Sequence, residues 1–389
     1  MPIDQKAVLK LILEMLKIDG LSGKEGNIAA FIIRKLRAVG IPAASITTDN
    51  ANKRSPLGGE TGNLICTLPG TIKAPRRLLA AHIDTVPLCA GTQPVVKDGY
   101  IVSANPKTGL GGDNRSGAAA ILYAATEIVR RKLPHPPLTF FWPVQEEVGL
   151  YGARFVDVAA LKNPVLCFNW DGSKPEKITI GATGAYVITI RIEGLASHAG
   201  VAPEKGVSAI AIASLALAEL YREGWHGQVR KGKYSGTSNF GTISGGSAVN
   251  VVPESATIVA NVRSNDARFR EKMVAAYRKA FEKAIRQVKS STGARGSMTF
   301  DADLRYDSFL LKEDAPVVVE AQRVLSALGL KPELRVTNGG LDANWLTAHG
   351  LPTVTLGAGQ CEVHTVSEKL ELASFYKGCE AALRIATRV

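Results

Sequence analysis

Apolar residues recur at helical spacing through Met1–Gly20 and again through Gly23–Gly40, where the pattern stops at a glycine suited to the position just past a helix end. Two amphipathic helices are expected there. The following apolar segments differ: Gly62–Gly70 and Arg77–Asp84 are short, continuously apolar and bounded by turn residues, as buried neighbouring strands are. An apolar run from Leu138 through Pro143 that ends at the adjacent Glu146 and Glu147, and a second over Pro164–Asp171, repeat that pattern, while Pro106–Arg131 joins a glycine-rich loop to a long helix expected to begin near Ser116. Pro143 removes a ladder donor, so a bulge or a free edge is expected at that point of its strand. From about Gly181, alternation of apolar and polar residues replaces continuity, which predicts a sheet with one exposed face.

The order there is strand, helix (207–224), strand (240–244), strand (256–262), helix (266–289) and strand (297–304). Continuous apolar character returns from about Ser308. The expected architecture is α/β: residues 1–181 and 308–389 form a catalytic domain whose mixed, mostly parallel central sheet is flanked by helices. Residues 182–307 form an inserted α+β lid with a four-stranded antiparallel sheet and two helices.

Composition narrows the classes. With 46% hydrophobic and 21% charged residues over 389 positions, the chain can bury a large core. No run reaches the length of a membrane span, and the charges inside Met1–Gly20 argue against a secretion signal, so a cytoplasmic location is expected. The net charge of +12 raises nucleic acid as a partner. However, the basic residues are interleaved with acids, as in Asp266–Lys289, and no recognition motif accompanies them; neither nucleic acid nor membrane is expected to bind. Cys66, Cys89, Cys167, Cys361 and Cys379 are scattered, odd in number and without a C-x-x-C pair, which points to reduced, structural thiols.

Candidate chemistry gathers where apolar runs end. His82 closes one strand with Asp84 two residues on; one ring nitrogen can bind a metal while the carboxylate accepts the other N–H. Asp113 sits in the glycine-rich loop, which lacks the G-K-[ST] ending of a phosphate loop. Glu146 and Glu147 end the Leu138 strand, where a cation on one would leave the other free as a proton acceptor. Asp171 ends a fourth strand, and His364 precedes the last helix. Two imidazoles and three carboxylates are donors suited to a pair of zinc ions. Such a pair, about 3.5–4 Å apart, generates hydroxide and polarises a carbonyl.

The series H-x-D-T-V-P from His82, G-G-D-N-x-x-G around Asp113, Glu-Glu-x-G from Glu146, Asp-Gly at Asp171 and the late His364 resembles the co-catalytic zinc exopeptidase superfamily. That superfamily holds peptidase T, bacterial glutamate carboxypeptidase, aminoacylases and succinyl-diaminopimelate desuccinylase, and the chain looks most like a peptidase-T-like branch. The likeness extends into the insertion, through "ASHAG" around His198 and "AVNVVP" around Asn250. It implies that Asp113 bridges two Zn²⁺ (Co²⁺ or Mn²⁺ as substitutes), that His82 and Asp171 complete one site and Glu147 and His364 the other, and that Glu146 is the general base, with Asp84 supporting His82. It further implies a cis Asp113–Asn114 bond, an oxyanion contact from His198, substrate contacts from Asn250 and Arg263, close backbone approach at Gly339 and Gly340, and a homodimer through the lid. One departure is Asn338, where peptidase T has arginine.

The expected function is therefore a dinuclear metal-dependent exopeptidase acting on short peptides. An amidohydrolase of N-acyl amino acids is the first alternative, and a non-catalytic peptide-binding clamp is the second.

Overall fold

The computed structural model describes residues 2–387. It divides into two units, one of Met1–Gly181, Leu310–Thr337 and Leu341–Val389, the other of Ala182–Phe309 and Asn338–Gly340.

The first unit is built on a nine-stranded sheet ordered Ile46–Thr48, Leu64–Leu68, Leu138–Trp142, Arg77–Ala80, Leu166–Gly172, Thr353–Gly357, Lys177–Ala182 and Phe309–Leu310, with Glu333–Thr337 also paired to Lys177–Ala182. Leu138–Trp142, Arg77–Ala80, Leu166–Gly172 and Thr353–Gly357 run parallel to their neighbours in that series. The pairings that flank this block, Leu64–Leu68 with Leu138–Trp142 and Thr353–Gly357 with Lys177–Ala182, are antiparallel. The parallel strands are apolar along their length because helices cover them. Gly112–Arg130 packs its alanine-rich body on the sheet and on the C-terminal helix Leu372–Thr387. Each large side chain buried in this core contributes about 1.5–3 kcal/mol relative to its exposed state.

Pro143 corrects one expectation. Its strand is interior, paired on both sides, and has neither bulge nor free edge at the proline; it stops at Trp142. The missing N–H thus falls just beyond the ladder, while the Pro143 carbonyl still accepts from Ile83 N–H at 3.0 Å.

In the second unit the antiparallel sheet has five strands rather than four, ordered Gly227–Lys231, Tyr234–Gly245, Ser255–Ser264, Gly184–Glu193 and Ser297–Tyr306. The unforeseen strand, Gly227–Lys231, is polar, and only Val229 in it is buried, so it carries no apolar alternation to read. It pairs with Tyr234–Ser238 in a short hairpin. Ile188, Ile190 and Ile192 bury one face of the sheet beneath helices Ala209–Arg222 and Ala267–Gln287. Those helices are capped by Ser208, which accepts from Ala211 N–H, and by Asp266, which accepts from Phe269 N–H.

Candidate active site

Parallel strands deliver their C-terminal ends to one rim of the sheet, which is where ligands bind in open α/β folds. His82, just beyond Ala80, is 1% exposed. Its Nε2 faces Asp113 Oδ1 at 3.3 Å, Asp171 Oδ1 at 3.6 Å and Glu146 Oε2 at 3.9 Å. Its Nδ1 faces Asp84 Oδ1 at 3.3 Å. His364, in a left-handed conformation at φ +63°, lies 2.9 Å from Glu147 Oε2 and 3.2 Å from Asp113 Oδ2 through Nε2. The two oxygens of Asp113 therefore point to different imidazoles. The Asp113–Asn114 peptide is cis, and Gly111 before it has φ +79°, a conformation that suits glycine.

How adjacent glutamates reach one cleft is visible in the turn after Trp142. Gln145 takes a left-handed conformation, φ +55°, which ends the alternation of a strand. Asp84 then gathers the turn: its Oδ1 accepts the Glu146 N–H at 3.0 Å and its Oδ2 the Glu147 N–H at 3.2 Å and the Ser22 hydroxyl at 2.6 Å. Glu25 adds a second brace, with Oε1 accepting from Gly23 N–H and Gln145 N–H.

Three further side chains stand around the site, and two of them, Gln360 and Glu368, have no signature of their own in the sequence. Gln360 donates to Asp113 Oδ1 at 3.2 Å and Asp171 Oδ1 at 3.5 Å, and its own oxygen accepts from Ser116. Glu368 holds the backbone of the Asp113 loop. Asp342 is fully buried and neither of its carboxylate oxygens has a hydrogen-bond partner among the described residues. The Gly-Gly-x-Asp run at Gly339 was the one available signal for it.

Burial outweighs other effects at several acids. It pushes Glu146 and Asp342 well above the ordinary carboxylate range, Glu147 up to about 7 and Asp171 up to about 6. Asp113 goes the other way: burial raises it, but hydrogen bonds from His364 and His82 hold it below the usual range. His82 is pulled down by burial, yet Glu146, Asp113, Asp171 and Asp84 together hold it well above its usual value. His364 is held up to about 10, first by Asp113 and then by Glu147.

The donor set fits divalent cations. Three overlapping groups, His82/Asp113/Asp171, His82/Glu146/Glu147 and Asp113/Glu147/His364, each present ligand atoms within 4.8 Å of one another. Many buried carboxylates face two imidazoles, a charge imbalance that cations relieve. A cation entering the group of Asp113, Glu147 and His364 must displace the proton that His364 holds through neutral pH and, below about pH 7, the one on Glu147 as well. Its apparent affinity is therefore expected to rise between pH 6 and 8, by about tenfold per pH unit for each proton displaced. Calorimetric titration in two buffers of different ionisation enthalpy checks this; equal heats and a flat affinity would contradict it.

The remaining candidates belong to the second unit. His198 and Asn250 are both exposed, and Ala199 N–H donates to the Asn250 carbonyl at 2.9 Å, so the two lie side by side. Arg263 donates to Asn261 Oδ1 at 2.9 Å and to the Asn338 carbonyl at 3.0 Å, on a polar cavity of about 210 Å³ that Arg230 also lines. A Cβ at Gly340 would meet the Tyr306 ring at 2.3 Å, so packing within the unit itself requires glycine there. Gly339 precedes it in the same short segment.

Comparison with known proteins gives the family of the chain. Residues 180–289 match the family model described as a peptidase dimerisation domain, and residues 63–202 match that of peptidase family M28. The Bacillus subtilis protein YqjE is 31% identical over 98% of each chain. Among solved structures, a Staphylococcus aureus tripeptidase shares 30% identity over the whole of both chains with a TM-score of 0.88. An aminopeptidase PepT from Bacillus cereus shares 32% over 99% of this chain and 98% of its own, with a TM-score of 0.86. On the strength of this full-length likeness, the chain belongs to the peptidase-T-like branch of the co-catalytic zinc exopeptidase superfamily.

Proposed function

We propose that this protein is a dinuclear zinc-dependent exopeptidase that hydrolyses short peptides. The observation that carries the reading is Asp113, whose two carboxylate oxygens face His82 and His364 separately. Asp113 would be shared by two cations, with His82 and Asp171 completing one set of ligands and Glu147 and His364 the other. When bound, the cations supply the charge that polarises the scissile carbonyl and brings a water within reach of deprotonation near neutral pH. Glu146 takes the proton from the attacking water at a carboxylate oxygen and returns it to the leaving amine. Asp84 keeps His82 in the tautomer that presents Nε2 to the site and fixes the turn on which Glu146 stands. His198, Asn250 and Arg263 would hold the substrate from the lid, residues 182–307.

Supporting a homodimer through that lid are its likeness to a peptidase dimerisation domain and a sheet edge. Asn239–Gly245 pairs on one side with Ala256–Asn261 and, among the described residues, with no strand on the other, leaving Ile243 exposed. No helix among the described residues is long and apolar enough to cross a membrane. Five free cysteines, four of them buried, support work in the reducing cytosol.

The test combines elemental analysis of freshly purified protein, its mass in solution, and hydrolysis of a matched panel of tripeptides and N-acetyl or N-succinyl amino acids, before chelation and after zinc, cobalt or manganese is restored. About two metals per chain, a dimeric mass and chelator-sensitive tripeptide cleavage are expected. Cleavage of the N-acyl substrates alone would replace the peptidase reading with an amidohydrolase. Neither metal nor turnover would favour a peptide-binding clamp.

A further inference from the structure

Asp113, whose backbone is non-helical at the start of Gly112–Arg130, and His364 are far apart in sequence, and one side chain ties their two segments together. Glu368, four residues after His364, is 2% exposed. Its Oε2 accepts the backbone N–H groups of Leu110 and Gly111, both at 2.8 Å, and its Oε1 accepts that of Asp113 at 3.0 Å. The Cys89 thiol lies 3.5 Å from Oε2. No lysine, arginine or histidine pairs with this carboxylate among the described residues, so backbone amides supply its polar surroundings.

Three amide contacts fix the turn from which the Asp113 side chain leaves, and they do so from the segment that carries His364. They couple that turn to the segment whose His364 Nε2 lies 3.2 Å from Asp113 Oδ2. A group that only stabilised the fold could have accepted these amides from any part of the chain. Attachment to the other ligand-bearing segment is what makes the contact relevant to a cation.

We infer that Glu368 is a positioning residue for the cation pair: it touches neither cation, and it pre-sets the distance between two of their ligands. The inference rests on the dinuclear reading above. Outer partners of this kind typically account for about 10–100-fold in metal affinity. Glutamine at this position keeps the length and one accepting oxygen but turns an NH₂ toward a backbone N–H. Alanine removes every contact.

The experiment titrates chelator-treated wild type, E368Q and E368A with Co²⁺, followed by calorimetry and by visible absorption, with circular dichroism reporting the fold. Both variants are expected to fold and to bind cobalt about 10–100-fold more weakly in at least one of the two sites, Ala more than Gln, with an altered cobalt spectrum. Unchanged affinity and spectrum in the folded variants would overturn the inference, even if their thermal midpoints fall, because that pattern describes a purely structural strut. Two variants that neither fold nor recover on adding cobalt would overturn it for the same reason. Failure of the wild type to bind two cobalt ions would instead remove the dinuclear reading itself.

Discussion

Replacing Glu146 by glutamine is expected to leave the fold and two bound cations in place while turnover falls by about 10²–10⁴-fold, the range a positioned proton-transfer group supplies. The amide has nearly the shape of the carboxylate but cannot take a proton. The backbone N–H of residue 146 still donates to Asp84, so the turn that presents Glu147 to His364 should survive the change. KM should move much less than kcat, because the lost interaction is made with the proton in flight. The structure makes this a sharp test. Glu146 lies 3.9 Å from His82 Nε2 and belongs by distance to one possible ligand group with His82 and Glu147. Metal analysis of E146Q therefore separates two roles: a retained pair of cations with lost turnover fits the base, whereas loss of one cation would make Glu146 a ligand. Full activity would exclude both.

Much of this site could be read from the chain because parallel sheets place chemistry at strand ends. His82, Glu146, Glu147 and Asp171 each follow a continuous apolar run, and in the structure those runs end on one rim. Asp113 was visible for a different reason, as a carboxylate in a glycine-rich loop before a long buried helix. The supporting side chains were not legible. Gln360 reaches Asp113 from 247 positions away and Glu368 reaches Asp113 N–H from 255, and no local pattern marks such partners. The strand Gly227–Lys231 escaped notice because a polar edge strand lacks the alternation that periodicity detects. At Pro143 the rule on proline in strands was sound, but the strand stops at Trp142, before the proline, whereas the apolar run continues to Val144. At Gly340 the structure adds a packing requirement that the sequence did not show, because a Cβ there would meet the Tyr306 ring.

The other large effect is expected at Asp113. Alanine there should abolish turnover and reduce bound metal from about two per chain toward none after gel filtration, because the lost group faces both imidazoles. The affinity loss should exceed the about 10–100-fold typical of a side chain that only supports a ligand. Changes at Asp171 and Glu147 provide the contrast. Each belongs with one imidazole, Asp171 with His82 at 3.6 Å and Glu147 with His364 at 2.9 Å, so D171N and E147Q should each retain the cation on the other side more firmly than D113A retains either. Stability after chelation should order the variants differently. Burial works against the charged forms of Asp171 and Glu147, so their amides are expected to leave the chelated protein as stable as wild type or more so at neutral pH. Asp113 is the exception, a carboxylate whose charge His364 and His82 favour, and its removal strips both imidazoles of a partner. D113A should therefore melt lower than wild type after chelation and respond least to added zinc. Retention of two cations by D113A, or equal metal loss in all three variants, would show that Asp113 is not the shared ligand.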